Sequence, residues 1–411
     1  MAGDSLSVIQ TGLQGVDTAM QAVSDDLANS GTIGFQSESV AFETLLGAFV
    51  AGNPLGGGVE AQGIVRDFSQ GAIVQTNSPT DMAIQGNGFF VFQDPSGSQV
   101  YSRDGHTIVG PTGSLLSFNG DQVMGYPIGS SGTVGGLLGP ITIPQGLLSP
   151  NASTQGTMSG NLNSSSPVIA GAINPADPTT YNSSVSLQVY DTLGNTHVVS
   201  FFFQNSGPGV APAAENWNWT ATFDGSAVGM TGNSGTLGFD TTGNLVSGGI
   251  PGAALTATPP GAAALSLNLN FNGLTQFASA NAITGAADGN ASGGPLGVSI
   301  DNNGVVSVSY SNGQINKVAQ VAVATFPSEQ GLTLSNGGVY QQSSASGQPT
   351  ITSAGAGSAG VIRPSSLESS NVDTTSQLIS LVVLQRSFQA NSKALQTQDN
   401  ILGSVLQLQT T

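Results

Sequence analysis

The sequence predicts a mainly β protein with terminal α-helices, in which nested β domains are inserted between N- and C-terminal coiled-coil helices. Two patterns carry that expectation. Leu6, Ile9, Leu13, Val16, Met20, Val23 and Leu27 step by three and four, the a/d spacing of a coiled-coil seam. Leu381, Phe388, Leu395 and Leu402 recur every seven residues near the other end, beside Leu378, Leu384, Ile401, Val405 and Leu406. Between these ends, short alternating apolar runs are punctuated by Gly, Asn, Asp and Pro, the mark of strands and turns.

Composition narrows the classes of function. Only 7% of the 411 residues are charged, against roughly 25% in typical soluble proteins. The net charge of −17 reflects scarce cations: Arg66, Arg103, Lys317, Arg363, Arg386 and Lys393 are all there are, and none are close neighbours. With no basic patch, neither nucleic acid nor anionic lipid is an expected partner. The absence of Cys excludes disulfides and thiolate metal sites. The opening MAGDSLSVIQTGLQG lacks a basic n-region and an apolar h-region, and no run of about twenty apolar residues follows. The expectation is no membrane insertion, and a route out of the cell, if taken, that reads no cleavable signal.

Taken in order, the first helix is expected to start after Asp4 or Ser7, with Gln10 completing a capping box on Ser7. It should stop at Asn29-Ser30-Gly31, with Gly31 left-handed. Val40, Phe42, Leu45, Leu46, Phe49 and Val50 fit either a short helix or an extended arm, and residues 53–58 have the composition of a loop. Strands begin near residue 60. Residues 89–92 form one, closed by Asp94-Pro95-Ser96-Gly97, and 123–126 another. Residues 100–103 and 106–109 read as a hairpin on Asp104-Gly105, because Asp-Gly suits a type I′ turn. Pro140, Pro144 and Pro150 mark the exit to a second β domain. There Val185–Tyr190 alternates by position, as do Trp217, Trp219 and Phe223, and Leu265, Leu267, Leu269 and Phe271. Gly/Ala/Pro tracts at 207–214 and 248–264 read as loops.

Residues 298–310 and 318–326 return to the texture of 85–126, so the organisation is nested. The expected parts are a helical core (1–31 and 372–411), an arm (32–70 and 362–371), an outer β domain (71–145 and 285–361) and an inserted β domain (146–284). The last helix is expected to open on a capping box, Thr374-Thr375-Ser376-Gln377.

Catalytic chemistry is poorly supplied. His106 and His197, both placed on strands, are the only histidines, and no G-x-S-x-G or H-E-x-x-H context surrounds them. Asp301-Asn302-Asn303-Gly304 opens like a calcium loop but lacks its twelfth-position Glu, so it reads as a hairpin turn. No phosphate-binding glycine fingerprint occurs. The expectation is no catalytic residue, cofactor or metal, and two terminal seams that want helical partners.

Ala28-Asn29-Ser30-Gly31-Thr32-Ile33-Gly34-Phe35 resembles the A-N-x-x-T-x-G-F-K signature of bacterial flagellar axial proteins. Ser370-Asn371-Val372-Asp373 and Gln385-Arg386-Ser387-Phe388-Gln389-Ala390-Asn391 match the signature of their C-terminal end. Between the ends, Gly88-Phe89-Phe90, Tyr101-Ser102-Arg103-Asp104-Gly105, Gly125-Tyr126-Pro127, Tyr190-Asp191 with Gly194-Asn195-Thr196-His197, and Tyr310-Ser311-Asn312-Gly313 are similar to the hook-protein family, in the same order. The distal rod protein lacks an inserted middle domain. An extracellular adhesin or surface-layer protein shares the acidity but gives no reason for seams at both ends, and a secreted hydrolase lacks a site.

The resemblance implies a subunit of the flagellar hook, a curved helical homopolymer that passes torque from rod to filament. It implies exit through the flagellar type III export apparatus to an extracellular place. The implied partners are copies of itself, the distal rod, the hook cap and the hook–filament junction proteins. The expected interface joins both stripes with Asn29, Gly34, Phe35, Gln385, Arg386 and Asn391. Three departures stand out: Gln36 replaces a common Lys, Gln377 a common Glu, and Asp25-Asp26 a frequent Asn pair. An ion pair through the first two is unavailable here.

Overall fold

The computed structural model describes residues 2–50, 53–129, 132–250 and 254–409, with the backbone alone described at 2–5, 46–50, 53–56, 402 and 405–409. It is mainly β, with helix α1 at Ala2–Ala28 and helix α2 at Thr374–Gln409. Among the described residues neither helix is long and apolar enough to cross a membrane.

Both helix starts differ from expectation. The first helix already runs from Ala2, since no proline interrupts it, so Asp4 and Ser7 lie within it rather than capping it. The second is capped by Asp373, whose carboxylate accepts from Thr375 N at 2.9 Å and Ser376 Oγ at 2.9 Å. Gln377 is thereby freed from any capping box. At the end of α1 the left-handed residue is Gly34 (φ 67°), not Gly31. Asn29 makes a glycine cap unnecessary: its side chain donates to the Asp25 carbonyl at 3.0 Å and accepts from Thr32 Oγ1 at 3.1 Å.

The arm is extended. β1 (Glu38–Val50) and β2 (Asn53–Arg66) form an antiparallel hairpin, in register from Glu38↔Arg66 to Val50↔Asn53 with three irregularities. Branched and aromatic residues at 40, 42, 44, 59, 64 and 65 favour strands. Residues 53–58 are strand and not loop, because β1 supplies the ladder that their glycines cannot specify alone. At Gly58 (φ 104°) a Cβ would collide with Thr11 Oγ1, so the glycine lets β2 approach α1 closely.

The chain forms two compact units. The first comprises Met1–Gln145, Gly297–Ser309 and Ile315–Thr411; the second, Gly146–Leu296 and Tyr310–Gln314. In the first, Ile315–Thr325 pairs antiparallel with Gln122–Pro127 and with Phe89–Gln93, tying late chain to early chain. Its core gathers Phe89, Val91, Tyr101, Met124, Ala322, Ala324, Leu332 and Tyr340. The turn after Phe89–Gln93 is tied by Asp94, whose carboxylate accepts from Ser96 N at 2.9 Å and Ser98 N at 2.8 Å.

The expected hairpin on Asp104-Gly105 does not form. Gln99–Ser102 pairs with Phe89–Gln93, while Thr107–Val109 pairs with Leu115–Ser117. Gly105 instead accepts a hydrogen bond from Met82 N at 3.0 Å in a crowded backbone crossing, and His106 precedes the strand rather than lying on it. The turn at 301–304 is a hairpin turn, with Asp301 accepting from Asn303 N and Val305 N and Gly304 left-handed.

The second unit has a five-stranded antiparallel sheet (Ser183–Tyr190, Thr196–Pro208, Glu215–Phe223, Ser234–Phe239, Leu245–Ser247). It also has a four-stranded sheet: Leu255–Ala257, Leu265–Phe277, Gln155–Asn163, Ala282–Ala287. Leu255–Ala257 is a strand inside a tract that reads as loop; Leu255 and Ala257 are buried in the core. Trp217, Trp219, Phe201, Phe203 and Phe239 of one sheet meet Leu265, Leu267, Leu269 and Phe271 of the other. Alternation by position, visible in the sequence, is the alternation of buried and outward side chains.

Candidate assembly site

The two chain ends come together. α1 packs on α2 and on the β1–β2 hairpin. Its deepest residues are small: Gly15, Ala19, Ala22 and Asp26, preceded by Gly12, spaced three, four, three and four. A Cβ on Gly12 would sit 3.5 Å from Asn391 Nδ2, and one on Gly15 3.1 Å from the Phe42 ring. The large stripe flanks this seam. Val23 is buried, whereas Leu6, Ile9, Leu13, Val16, Met20 and Leu27 keep part of their surface open.

On α2 the half-buried residues include Gln377, Leu381, Leu384, Phe388, Asn391 and Leu395, a four/three repeat facing one way. Gln385 and Arg386 are exposed, and the side chain of Leu402 lies outside the described residues. The small-residue seam is absent from the expected interface because its members are weakly apolar; only their heptad spacing marks them.

Below the helices lies a polar joint. Asp26, 0% exposed, accepts from Glu38 N and from Gln377 Nε2, each at 2.8 Å. Burial pushes its carboxyl above the ordinary range, against the pull of the Glu38 amide. Asn371 Oδ1 accepts from Ser37 N at 2.7 Å, and its Nδ2 donates to the Asp67 and Ser69 carbonyls at 2.7 and 3.1 Å. The buried Gln36 amide, oriented as a donor, reaches the same Asp67 carbonyl at 2.8 Å. Gly34 N donates to the Glu368 carbonyl at 2.8 Å, and Arg103 pairs with Glu368 at 3.2 Å, their side chains 3% and 0% exposed. Asn29, Gly34 and Phe35 share a cavity of about 530 Å³ with Arg66, Asp104 and Tyr340. Gln36 and Gln377, two of the three departures, do not meet: one is held by the arm, the other by Asp26.

This geometry makes a prediction. Gln377→Glu would set two carboxylates against each other and should cost about 1–3 kcal/mol at pH 7. Adding Asp26→Asn restores a carboxylate–amide pair and should recover most of it, as a double-mutant cycle in urea would read. The penalty should shrink at low pH. A carboxyl whose folded pKa is raised favours the folded state below its unfolded pKa, and loses that advantage as pH rises through the folded value.

The histidines sit elsewhere. His197 stacks on Phe223, its Nδ1 2.7 Å from Asp224 and its Nε2 3.4 Å from Asp191. Burial lowers its pKa, but the two carboxylates outweigh that and hold it above the usual value. His106 stacks on Phe118. No group of three or more His, Asp or Glu among the described residues is arranged to hold a metal ion.

Known families match along the chain: the flagellar hook protein FlgE/F/G D1 domain at 83–160, the flagellar basal body protein FlaE D2 domain at 161–290, and the flagellar basal body rod FlgEFG protein C-terminal region at 363–408. A mainly β body carried on joined terminal helices, with these matches, is the build of a bacterial flagellar axial protein. The flagellar hook protein FlgE of Salmonella typhimurium is 33% identical over 98% of this chain and 100% of its own. That of Escherichia coli K12 is 31% identical over 97% and 98%, and that of Treponema pallidum 30% over 97% and 98%. The chain belongs to the flagellar hook protein family, and its role is structural, in the hook that serves motility. The crystal structure of Helicobacter pylori flagellar hook protein FlgE2 shares its fold, with a TM-score of 0.54 and 16% identity over 72% of this chain and 100% of that one.

Proposed function

We propose that the paired ends are a split assembly element, and that copies of the chain polymerise through it into a curved tube passing torque from rod to filament. The observation that carries this reading is the incomplete burial of the helix pair. Leu378, Ile379, Val382 and Val383 on α2 are 50%, 61%, 46% and 55% exposed, and most of the α1 stripe is half-open. Side chains of this size favour burial by roughly 1.5–3 kcal/mol each. Head-to-tail contacts between copies would supply it and generate an open helical filament.

On this reading both stripes, with Asn29, Gly34, Phe35, Gln385, Arg386 and Asn391, line the subunit interface. The helical core (1–31, 372–411) bears load, the arm (32–70, 362–371) braces it, and the outer (71–145, 285–361) and inserted (146–284) β domains face outward and slide as the tube bends. The reading extends to further partners, the distal rod, the hook cap, the junction proteins and the type III export apparatus, and to an extracellular end point. No catalytic role is part of the reading.

Electron microscopy of the concentrated purified chain should show short curved tubes. Leu13→Asp with Val16→Asp should abolish them while leaving the β signal in circular dichroism unchanged. Normal tubes from that variant would sink the proposal.

A further inference from the structure

The outer face of α2 carries more than apolar surface. At 3.6 residues per turn, Leu378, Ile379, Val382, Val383, Arg386 and Lys393 fall on one side of the helix, opposite the side that packs on α1. All six are exposed. Arg386 and Lys393 are the only Lys or Arg in either helix, and among the described residues their side chains have no ion pair or hydrogen bond. Arg66 and Arg103, by contrast, are paired with Glu38 and Glu368.

α1 has the opposite character. It carries Asp4, Asp17, Asp25 and Asp26 and no cation. Between it and the hairpin runs a groove of about 540 Å³ with a floor of Gly15, Leu45, Val59 and Ala61 and rims that include Asp17 and Glu60. Asp17 and Glu60 are exposed, and among the described residues no Lys or Arg lines the groove.

Resting on the proposed polymerisation, we infer that this groove receives the outer face of α2 from a second copy, with Arg386 and Lys393 set against the partner copy's acidic rims. Three features favour a second copy over an unrelated partner. The face is apolar along one end and cationic further on, which complements an apolar floor with acidic rims. Its charges are the only ones of their sign in the helix pair, in a chain that otherwise spends cations sparingly. Face and groove lie on different sides of the same helix pair, so a copy that fills one groove still presents its own and the contact propagates. Arg386 and Lys393, seven residues apart, are separated by about 10 Å along the helix axis, enough to engage two acidic groups without competing for one. Burying the apolar stripe supplies most of the affinity, and the charges fix register and exclude the wrong face.

The test is the critical concentration for polymerisation of the full chain, measured by sedimentation. Arg386→Glu with Lys393→Glu should raise it about ten-fold or more, the effect of roughly 1.4 kcal/mol per contact. Asp17→Lys with Glu60→Lys should do the same, and the four-fold variant should return towards wild type. An independent readout needs no variant: zero-length carbodiimide coupling of wild-type tubes should join Lys393 to Glu60 or Asp17 between chains. Unchanged critical concentrations after charge reversal, a four-fold variant as poor as its parents, or coupling confined to single chains would each overturn the inference while leaving polymerisation intact. A wild-type chain that never polymerises would overturn both.

Discussion

Glu368→Ala is expected to destabilise the first unit by about 3–5 kcal/mol, because it strands Arg103 inside the protein. The Arg103 side chain is 3% exposed and its guanidinium rests 5.3 Å above the Phe89 ring; Glu368 is its carboxylate partner, and the arginine Nε has no partner among the described residues. A buried ion pair adds little net stability over a well-packed apolar pair. Removing one member is different, since the remaining charge keeps its full desolvation cost. Alanine also deprives Gly71 N of an acceptor at 3.0 Å. Glu368→Gln should cost less, since it keeps an acceptor there while giving up the charge. The two tryptophans, Trp217 and Trp219, lie in the second unit. Hydrogen exchange in the strand Phe89–Gln93 should therefore quicken sharply at denaturant concentrations where Trp emission is unmoved. A loss under about 1 kcal/mol would mean that water reaches the guanidinium.

What the sequence made legible depended on how local the cause was. Alternation in 185–190 and 265–271 became buried and outward faces because a strand needs only its own period to choose them. The two helices were equally plain, since a stripe of large apolar residues is a property of one segment. The hairpin on Asp104-Gly105 went astray for the opposite reason. The dipeptide permits a tight turn, but Phe89–Gln93 had already taken Gln99–Ser102 as its partner across the Asp94 turn. Glycines at 56–58 read as loop because their strand is specified by β1 and α1, which lie outside the segment. The polar joint was half legible: Asn371 and Arg103 stand within recognisable motifs, yet Asp26, Gln377 and Glu368 acquire roles only when residues more than 260 positions apart meet.

Gly34 is where that long-range assembly meets backbone geometry, and Gly34→Ala is expected to cost about 2–5 kcal/mol. Its φ of 67° is left-handed, a conformation that costs other L-residues about 1–2 kcal/mol. Its ideal Cβ would lie 2.6 Å from Asp104 N and 2.7 Å from Arg103 C, backbone atoms that cannot swing aside, and overpacking of that kind adds about 1–3 kcal/mol. Relief would require the turn after α1 to retreat from Arg103 and Asp104, weakening the Gly34–Glu368 hydrogen bond and the cavity shared with Asn29 and Phe35. The end of α1 would then shift relative to the body it anchors, so polymerisation should fail together with stability. Gly31→Ala is the matched control. Gly31 is not left-handed, and its Cβ would meet nothing within 4 Å, so urea unfolding and tube formation should both stay at wild-type values. Equal behaviour of the two variants would show that the close approach at Gly34 carries no load.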